Sequence, residues 1–407
     1  MKDHYCHNCG KSFTKQGLER HKLRKKPCNL SDNIHPEFLE KLINERIEQK
    51  IQAGEPLRPK MKAISLFSGM GGDSLGIHRA GVELIGYSEI VKEFQKTHQE
   101  NFPECKLIGD GDIVNTTDEE LSNFKAADLI FAGFPCQGFS QAGKKLPDDP
   151  RNTLFREFLR ATKIINPKYV IGENVKGLLT RKTSDNKLYI DIIKSEFNEI
   201  GYDIVTKVMK CSEYGIPQNR IRLIIVGIRK DLQQTYTFPL ETNEPVDLKD
   251  IVKFSMEGSI PIKDEDFKIA SVPPECILTE LDNTETSEKC HPYLTSLAKD
   301  RHYVYKGKNY PTRLHFGRRI PVGGEVIDIR KPLNTVICTY ARQPRFFVPL
   351  MNKDGFHIRM LLPDELKQIQ GFPSDYIICG DTTKKIIQIG NAVPPPLIEK
   401  VVRGLLK

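Results

Sequence analysis

Cys136 stands directly behind a short apolar run. Asp128–Ala132 reads as a strand, and Gly133-Phe-Pro-Cys136-Gln137 follows it. A thiol at a strand end, beside a proline and a glycine-containing loop, is placed as a nucleophile rather than as core filling. Glu173, in Glu173-Asn-Val175, follows the run Tyr169–Ile171 and brings a carboxylate to the same expected sheet edge. Gln218-Asn-Arg220-Ile-Arg222 opens the run Leu223–Val226, its alternate arginines falling on one face at strand period.

A second set of residues suits an adenosine-type ligand. Ser65-Leu-Phe-Ser-Gly69-Met-Gly71-Gly72 follows the first apolar run, Ala63–Phe67. Glycines there let the backbone turn tightly and approach a ligand at a helix N-terminus. Ser74 occupies the third glycine position of the dinucleotide fingerprint, so that fingerprint is absent. Glu89 lies about 20 residues on, after Val82–Tyr87, where a ribose hydroxyl is bound in such folds. Asp112 follows Lys106–Ile108. Two strand-end carboxylates beside a Gly-rich turn point to a cofactor without a pyrophosphate.

The N-terminus carries a third set, Cys6-x2-Cys9-x11-His21-x6-Cys28, with the spacing of one tetrahedral zinc site. Tyr5, Phe13 and Leu18 supply the few apolar side chains of a small ββα finger. A segment this short has no core of its own, so the metal is expected to fold it. Residues 1–30 hold eight Lys and Arg against two acids, +6 of the chain's net +8, which suits a polyanion partner.

To position these groups, the chain offers short apolar runs alternating with helical segments. The runs are Ala63–Phe67, Val82–Tyr87, Lys106–Ile108, Asp128–Ala132, Tyr169–Ile171, Ile204–Val208 and Leu223–Val226; Thr153–Ile165 and Leu188–Ile200 read as helices. That alternation predicts an open, mostly parallel, doubly wound α/β sheet with ligands beyond the carboxyl ends of its strands. Pro36–Ala53 reads as a linker helix, with Leu39, Leu42, Ile43 and Ile47 on one stripe. From Asp231 to about Ile329 no period is visible, which predicts an irregular second domain; helical pattern returns at Pro363–Gln370 and Pro396–Leu406. The 407 residues suit more than one domain. With 39% hydrophobic and 28% charged residues, a disordered or collagen-like chain is excluded. No apolar run approaches the ~18 residues of a membrane span. Ten cysteines without a secretory signal point to thiols and metal ligands, in an intracellular protein, cytoplasmic or nuclear.

Taken in order, these segments resemble the DNA (cytosine-5)-methyltransferases. The cofactor motif is similar to Phe67–Gly72, the nucleophile motif to Gly133–Ser140 (GFPCQGFS), and the next two to Glu173–Val175 and Gln218–Arg222. Arg359–Pro373, ending in Gln-Gly-Phe-Pro, resembles the late helix motif, and Gly390-Asn-Ala-Val-Pro the C-terminal cofactor motif. The resemblance covers Lys62 to Lys407 except the stretch between Lys230 and Ile329. Lys367 and Gln368 depart from the family's usual Ala and Arg. Ile90 follows Glu89 in a chain without tryptophan, so adenine would pack on an aliphatic side chain.

The resemblance implies a Rossmann-like, S-adenosylmethionine-dependent methyltransferase fold. Its domains would be a zinc finger (1–30), a helical linker (31–60), a catalytic domain (61–230 plus 355–407) and a target-recognition domain (231–354). It implies methyl transfer to C5 of a flipped-out cytosine in double-stranded DNA through a covalent Cys136–C6 adduct. Glu173 would hold N3, Arg222 would contact O2, and Arg220 would position ring and loop, with Gln137–Pro150 closing behind the base. S-adenosylmethionine would lie among Phe67, Gly69, Gly71, Gly72, Glu89, Ile90, Asp112, Ile113, Pro135, Leu154 and Asn391. Zinc would be held by Cys6, Cys9, His21 and Cys28. A monomer acting on DNA, with no membrane partner, completes the expectation; whether a restriction endonuclease accompanies it is left open by the sequence. Two alternatives stand beside it. A tRNA cytosine-5 methyltransferase usually carries Pro-Pro-Cys with Thr after the Phe, where this chain has Phe134-Pro135-Cys136 and Ser140. A catalytically silent DNA-binding regulator would not need Cys136, Glu173 and Arg222 together.

Overall fold

The computed structural model describes residues 60–135, 154–242, 244, 246–261, 277–279, 325–341 and 344–406 in full, and 4–5, 12–13, 304–305, 308–309, 314–316 and 322–324 as backbone. Cys136, the loop Gln137–Pro150, the helix expected over Pro36–Ala53 and the four zinc candidates Cys6, Cys9, His21 and Cys28 lie outside the described residues. The chain divides into two units, Met1–Lys60 and Met61–Lys407. Within the first, β1 (His4–Tyr5) pairs antiparallel with β2 (Ser12–Phe13).

In the second unit, the chain runs β3 (Lys62–Leu66), α1 (Gly72–Arg79), β4 (Glu83–Tyr87), α2 (Lys92–Asn101), β5 (Lys106–Leu107), α3 (Asp118–Ser122) and β6 (Leu129–Ala132). It continues through α4 (Phe155–Ile165), β7 (Tyr169–Val175), α5 (Tyr189–Glu199), β8 (Tyr202–Lys210) and β9 (Ile221–Arg229). Among the described residues, these strands form one seven-stranded sheet in the order β5-β4-β3-β6-β7-β9-β8. β3 to β7 are parallel, and β9 runs antiparallel between β7 and β8. The alternation expected from the sequence is therefore present, with one strand, β9, running against the others near one edge.

Burial on both faces explains why these runs read as continuously apolar. In β6, Leu129 and Phe131 join the core on one face, and Ile130 and Ala132 the core on the other. Strand order reverses between β3 and β6, so the loops leaving their carboxyl ends diverge and open a crevice there. β7 runs longer than the apolar stretch Tyr169–Ile171 suggests. Its polar tail Glu173-Asn174-Val175 stays in the ladder because it pairs with Ile224, Leu223 and Arg222 of β9. Glu173 thus sits within a strand, not after one.

A second sheet gathers β10 (Ile260–Pro261), β11 (Leu278–Thr279), β14 (Leu314–Phe316), β15 (Val322–Val326), β16 (Phe346–Asn352) and β17 (Gly355–Met360). β12 (Val304–Tyr305) and β13 (Lys308–Asn309) form a separate ribbon. The stretch without visible period thus contains short strands, too brief to show alternation. The second sheet includes β17 and so reaches past residue 354. Its core is shared with α6 (Pro363–Ile369) and α7 (Thr382–Asn391), where Phe347, Val348 and Ile358 meet Leu366, Ile369 and Ile389. The last helix, α8 (Pro395–Leu405), packs its apolar face on α1.

One buried ion pair fixes α6 on the second sheet. Arg359, fully buried at the end of β17, donates from Nη1 and Nη2 to the two oxygens of Glu365 at 2.8 and 2.7 Å. Its remaining donors reach the carbonyls of Ser255, Met360 and Lys253. Glu365 in turn accepts from Leu362 N–H and so caps its own helix. Removing one partner strands the other charge in a dry site, which typically costs 3–5 kcal/mol. Glu365→Ala is accordingly expected to lower the unfolding free energy by about 3 kcal/mol or more in urea titrations; a loss below about 1 kcal/mol would show the pair to be dispensable.

Candidate active site

The crevice at the strand-order reversal is a pocket of about 360 Å³. Its floor comes from the loop after β3. Phe67 takes a left-handed backbone (φ 57°), a conformation that costs a non-glycine residue on the order of 1 kcal/mol and must be over-determined by its surroundings. The surroundings do this: Phe67 N–H donates to Ser88 Oγ (3.2 Å), Ser68 N–H to Ser88 O (2.9 Å) and Ser88 N–H to Ser65 O (2.8 Å). The loop is laced to the end of β4.

Glu89 completes the lacing. Its two carboxylate oxygens accept from Gly69 N–H (2.9 Å) and Val91 N–H (2.8 Å). Burial raises its pKa, and those backbone donors offset only part of the rise. Oriented by one bond per oxygen, each oxygen keeps a lone pair for a hydroxyl of a ligand. Ile90 is 64% exposed while lining the pocket, as an apolar wall without a protein partner would be. The lining also includes Asp112 and Ile113, on a turn pinned by Arg160 of α4. Arg160 donates to the carbonyls of Ile113 (2.8 Å) and Thr116 (2.9 Å) and to Asp118 Oδ1 (2.6 Å).

At the far end lie the charged groups. Glu173 and Val175 on β7 face Ile224 and Arg222 on β9, so Glu173 and Arg222 are diagonal neighbours across the ladder. Arg222 Nε lies 2.7 Å from Glu173 Oε1, both side chains largely buried. The contact is close but not aligned as a hydrogen bond, so Oε1 keeps its acceptor capacity. Arg222 Nη1 donates to Ile221 O at 2.8 Å. Asn174 braces the neighbouring loop by donating to Phe134 O (3.2 Å), just ahead of Pro135, the last described residue before Cys136.

Among the sequence-predicted residues, Phe67, Gly69, Glu89, Ile90, Asp112, Ile113, Pro135, Leu154, Glu173, Arg220, Arg222 and Asn391 line this one pocket. Gly71 and Gly72 do not. A Cβ on Gly72 would come within 2.1 Å of Val393 O, and one on Gly71 within 2.9 Å of Tyr376 Oη and 3.0 Å of His98. Gly72 thus admits the backbone of Val393, and Gly71 the side chains of Tyr376 and His98. Arg220, only 3% exposed, directs Nη1 to the carbonyls of Val336 (3.2 Å) and Gly390 (3.3 Å). Sequence reasoning missed Ser88, Phe94 and Arg160. A serine one residue before Glu89 at a strand end was the available signal for Ser88; Arg160 had none, since Ile113, Thr116 and Asp118, which it pins, are more than 40 residues away.

The residues fit an adenosine-bearing cofactor on structural grounds. A Cβ built on Gly69 would meet nothing within 4 Å, so the glycine leaves open space in the pocket lining. Aliphatic and aromatic walls (Phe67, Ile90, Ile113) alternate with carboxylates at Glu89 and Asp112, the polarity pattern of a nucleoside.

Behind the loop sits a carboxyl the pocket does not use. Asp73, 2% exposed, accepts from Ser65 Oγ; burial pushes its pKa up to about 7, against the pull of Ser65 and backbone N–H groups. Nearby His98 is stacked on Tyr87 at 3.7 Å and lies 2.9 Å from Ser74 Oγ, and burial lowers it to about 3. An acid whose native pKa is raised stays protonated while the unfolded chain ionises. Its contribution to stability is full below about pH 4 and is lost as pH rises toward 7. Asp73→Asn should abolish this loss. Unfolding titrations from pH 4 to 7 should show the variant gaining on the parent by up to about 1.4 kcal/mol per pH unit; a constant difference would refute the assignment.

Similarity to known proteins accords with this geometry. The family model described as C-5 cytosine-specific DNA methylase matches residues 61–407. Type II methyltransferase M1.HphI of Haemophilus parahaemolyticus is 31% identical over 356 residues, covering 84% of this chain and 86% of that protein. Type II methyltransferase M.FnuDI of Fusobacterium nucleatum is 32% identical over 346 residues, 83% of this chain and 92% of that protein. In fold, the chain is similar to a putative DNA modification methyltransferase from an Escherichia coli prophage, with TM-score 0.58 and 22% identity, over 85% of this chain and 99% of that one.

Proposed function

The chain belongs to the C-5 cytosine-specific DNA methylase family and is a DNA cytosine-5 methyltransferase; we propose that it works from S-adenosylmethionine through a covalent Cys136 adduct on a flipped-out cytosine. One observation carries the reading: the nucleoside-like cleft and the Glu173–Arg222 pair share a single pocket, and Pro135, the residue before Cys136 in the sequence, lines it.

Cytosine C5 is too weak a nucleophile to take a methyl group unaided. Addition of the Cys136 thiolate to C6 breaks the ring's conjugation and makes C5 enamine-like. Glu173 would hold the N3 edge and share its proton, while Arg222 would stabilise charge developing at O2. When bound, S-adenosylmethionine supplies an electrophilic methyl group. Phe67, Ile90 and Ile113 would enclose its adenosine, Glu89 the ribose hydroxyls and Asp112 the adenine amino group, with Asn391 on the remaining wall. After transfer, the C5 proton leaves and the Cys136–C6 bond breaks, returning the thiolate. The base must leave the duplex to reach this pocket. We assign base reading to residues 231–354 with the second sheet.

A duplex carrying 5-fluorocytosine tests the adduct, because fluorine cannot leave C5 as a proton does. The parent chain should form a denaturation-resistant complex with it and methylate genomic DNA, read by bisulfite sequencing. Cys136→Ala should do neither, and Arg222→Ala should lose roughly 10²-fold or more in rate. Methylation by Cys136→Ala would end the covalent reading; methylation of tRNA in place of duplex DNA would shift the substrate.

Residues 1–30 are proposed to bind one zinc through Cys6, Cys9, His21 and Cys28. The β1–β2 pairing supports this, since Tyr5 lies opposite Ser12 and two of the ligands, Cys6 and Cys9, fall between those residues in the sequence. Elemental analysis should find one zinc per chain, lost in Cys9→Ser. Deleting 1–30 should weaken duplex binding and flatten its salt dependence, through loss of phosphate contacts. Unchanged binding would assign the finger to another partner.

A further inference from the structure

Three side chains outside the reaction chemistry form one dry polar knot. Gln218 and Gln370 are fully buried and Arg220 nearly so. Gln370, at the end of α6, spends both amide hydrogens on the pocket wall: Nε2 donates to Ile389 O (3.1 Å) and Ala392 O (2.7 Å). These carbonyls lie at the C-terminal end of α7, where Ile389 O also accepts from Ala392 N–H at 3.2 Å. Oε1 of Gln370 accepts from Gln218 Nε2, and Oε1 of Gln218 accepts from Val336 N–H at 3.0 Å. Arg220 makes a parallel link, donating to Val336 O and Gly390 O.

The two ends of this knot belong to different binding functions. Gly390, Asn391, Ala392 and Val393 line the cofactor pocket. Val336 belongs to the segment joining β15 to β16 of the second sheet, held by Asn219 N–H to Leu333 O (2.6 Å) and Leu333 N–H to Pro217 O (3.0 Å). Contact between the ends is direct as well: a Cβ on Gly390 would lie 2.3 Å from Cys338 N. Nothing in this path is soft, because it is close-packed and every Gln218 and Gln370 amide group is bonded. The cofactor wall therefore cannot shift without disturbing the backbone that feeds the second sheet.

We propose that Gln218 and Gln370 are positioning residues that couple the methyl-donor pocket to the DNA-reading sheet, so that each ligand tightens the other. The coupling rests on the proposed roles of both surfaces. It is reciprocal by thermodynamic necessity.

The test uses the full chain, S-adenosylhomocysteine as cofactor probe and a duplex bearing a site found methylated by bisulfite sequencing. Calorimetry measures the probe's affinity with and without duplex. In the parent, the duplex should tighten the probe about tenfold, and in Gln218→Met less than about twofold, while probe affinity without duplex stays within about threefold. That variant spares both Gln370 bonds to the pocket wall. Gln370→Met should lose the tightening and weaken the probe itself. Should Gln218→Met fold poorly, Gln218→Asn, which keeps an amide but falls short of Gln370, takes its place with the same expectation. Full tightening in the Gln218 variant, or none in the parent, overturns the proposal; so does a lowered melting temperature with the ratio intact, the mark of a merely structural bridge. Failure of the parent to bind S-adenosylhomocysteine would instead remove the pocket reading beneath it.

Discussion

Everything at the site depends on two opposite charges held together largely out of water. Glu173 and Arg222 approach to 2.7 Å because β7 and β9 run antiparallel in a register that sets Glu173 opposite Ile224 and Val175 opposite Arg222. A one-residue slip of that register would turn one of the two side chains to the other face. Such a pair is a poor stabiliser, since desolvating two ions offsets most of their attraction. Its cost is understandable if the pair serves the ring of a substrate, where a carboxyl and a guanidinium must meet adjacent edges without first shedding water.

The second constraint is that the pocket is closed by chain from the far end of the sequence. α8 packs on α1, Gly72 admits the carbonyl of Val393, and Tyr376 Oη donates to Met70 O at 2.5 Å. Gly72 and Gly390 serve close backbone approach rather than backbone freedom. Neither has space for a methyl group, the first against Val393 O and the second against Cys338 N. The glycines of the first loop thus differ in what they border. Gly69 faces open space, and Gly72 faces the chain's own C-terminal part.

That difference marks the limit of what the sequence could disclose. The strands of the main sheet were legible because burial on both faces leaves them nearly all apolar, as in Leu129–Ala132. The residues flanking their carboxyl ends could then be picked out, and most of them line the pocket. Gly71 and Gly72 were read with the ligand because a glycine's type cannot say which neighbour approaches it. The tail of β7 was missed because its apolar pattern stops at Ile171, whereas the ladder continues on pairing with a strand about 50 residues away. Helix α2 was missed for a related reason: it buries Gln95, Thr97 and His98, polar residues that leave no apolar stripe. Gln218 and Gln370 were visible as motif letters, but their bond spans 152 positions, and only the folded chain reveals what each holds.

Lys367 shows how a departure from a family's pattern can meet the same constraint. An ammonium only 6% exposed, where the family usually has alanine, would be costly if unpaired. Here Nζ donates to Ser374 O (2.5 Å) and Tyr376 O (3.2 Å) and pairs with Asp364 at 2.7 Å. Those bonds draw the turn after Gln-Gly-Phe-Pro back over α6. The turn carries Tyr376, whose hydroxyl reaches the carbonyl of Met70 within the Gly-rich loop. The buried cation therefore acts on the pocket through the backbone that shapes it, at a distance from the reacting groups. The same turn begins at Gln370, so one short stretch of chain both braces the cofactor loop and holds the pocket wall through Ile389 and Ala392.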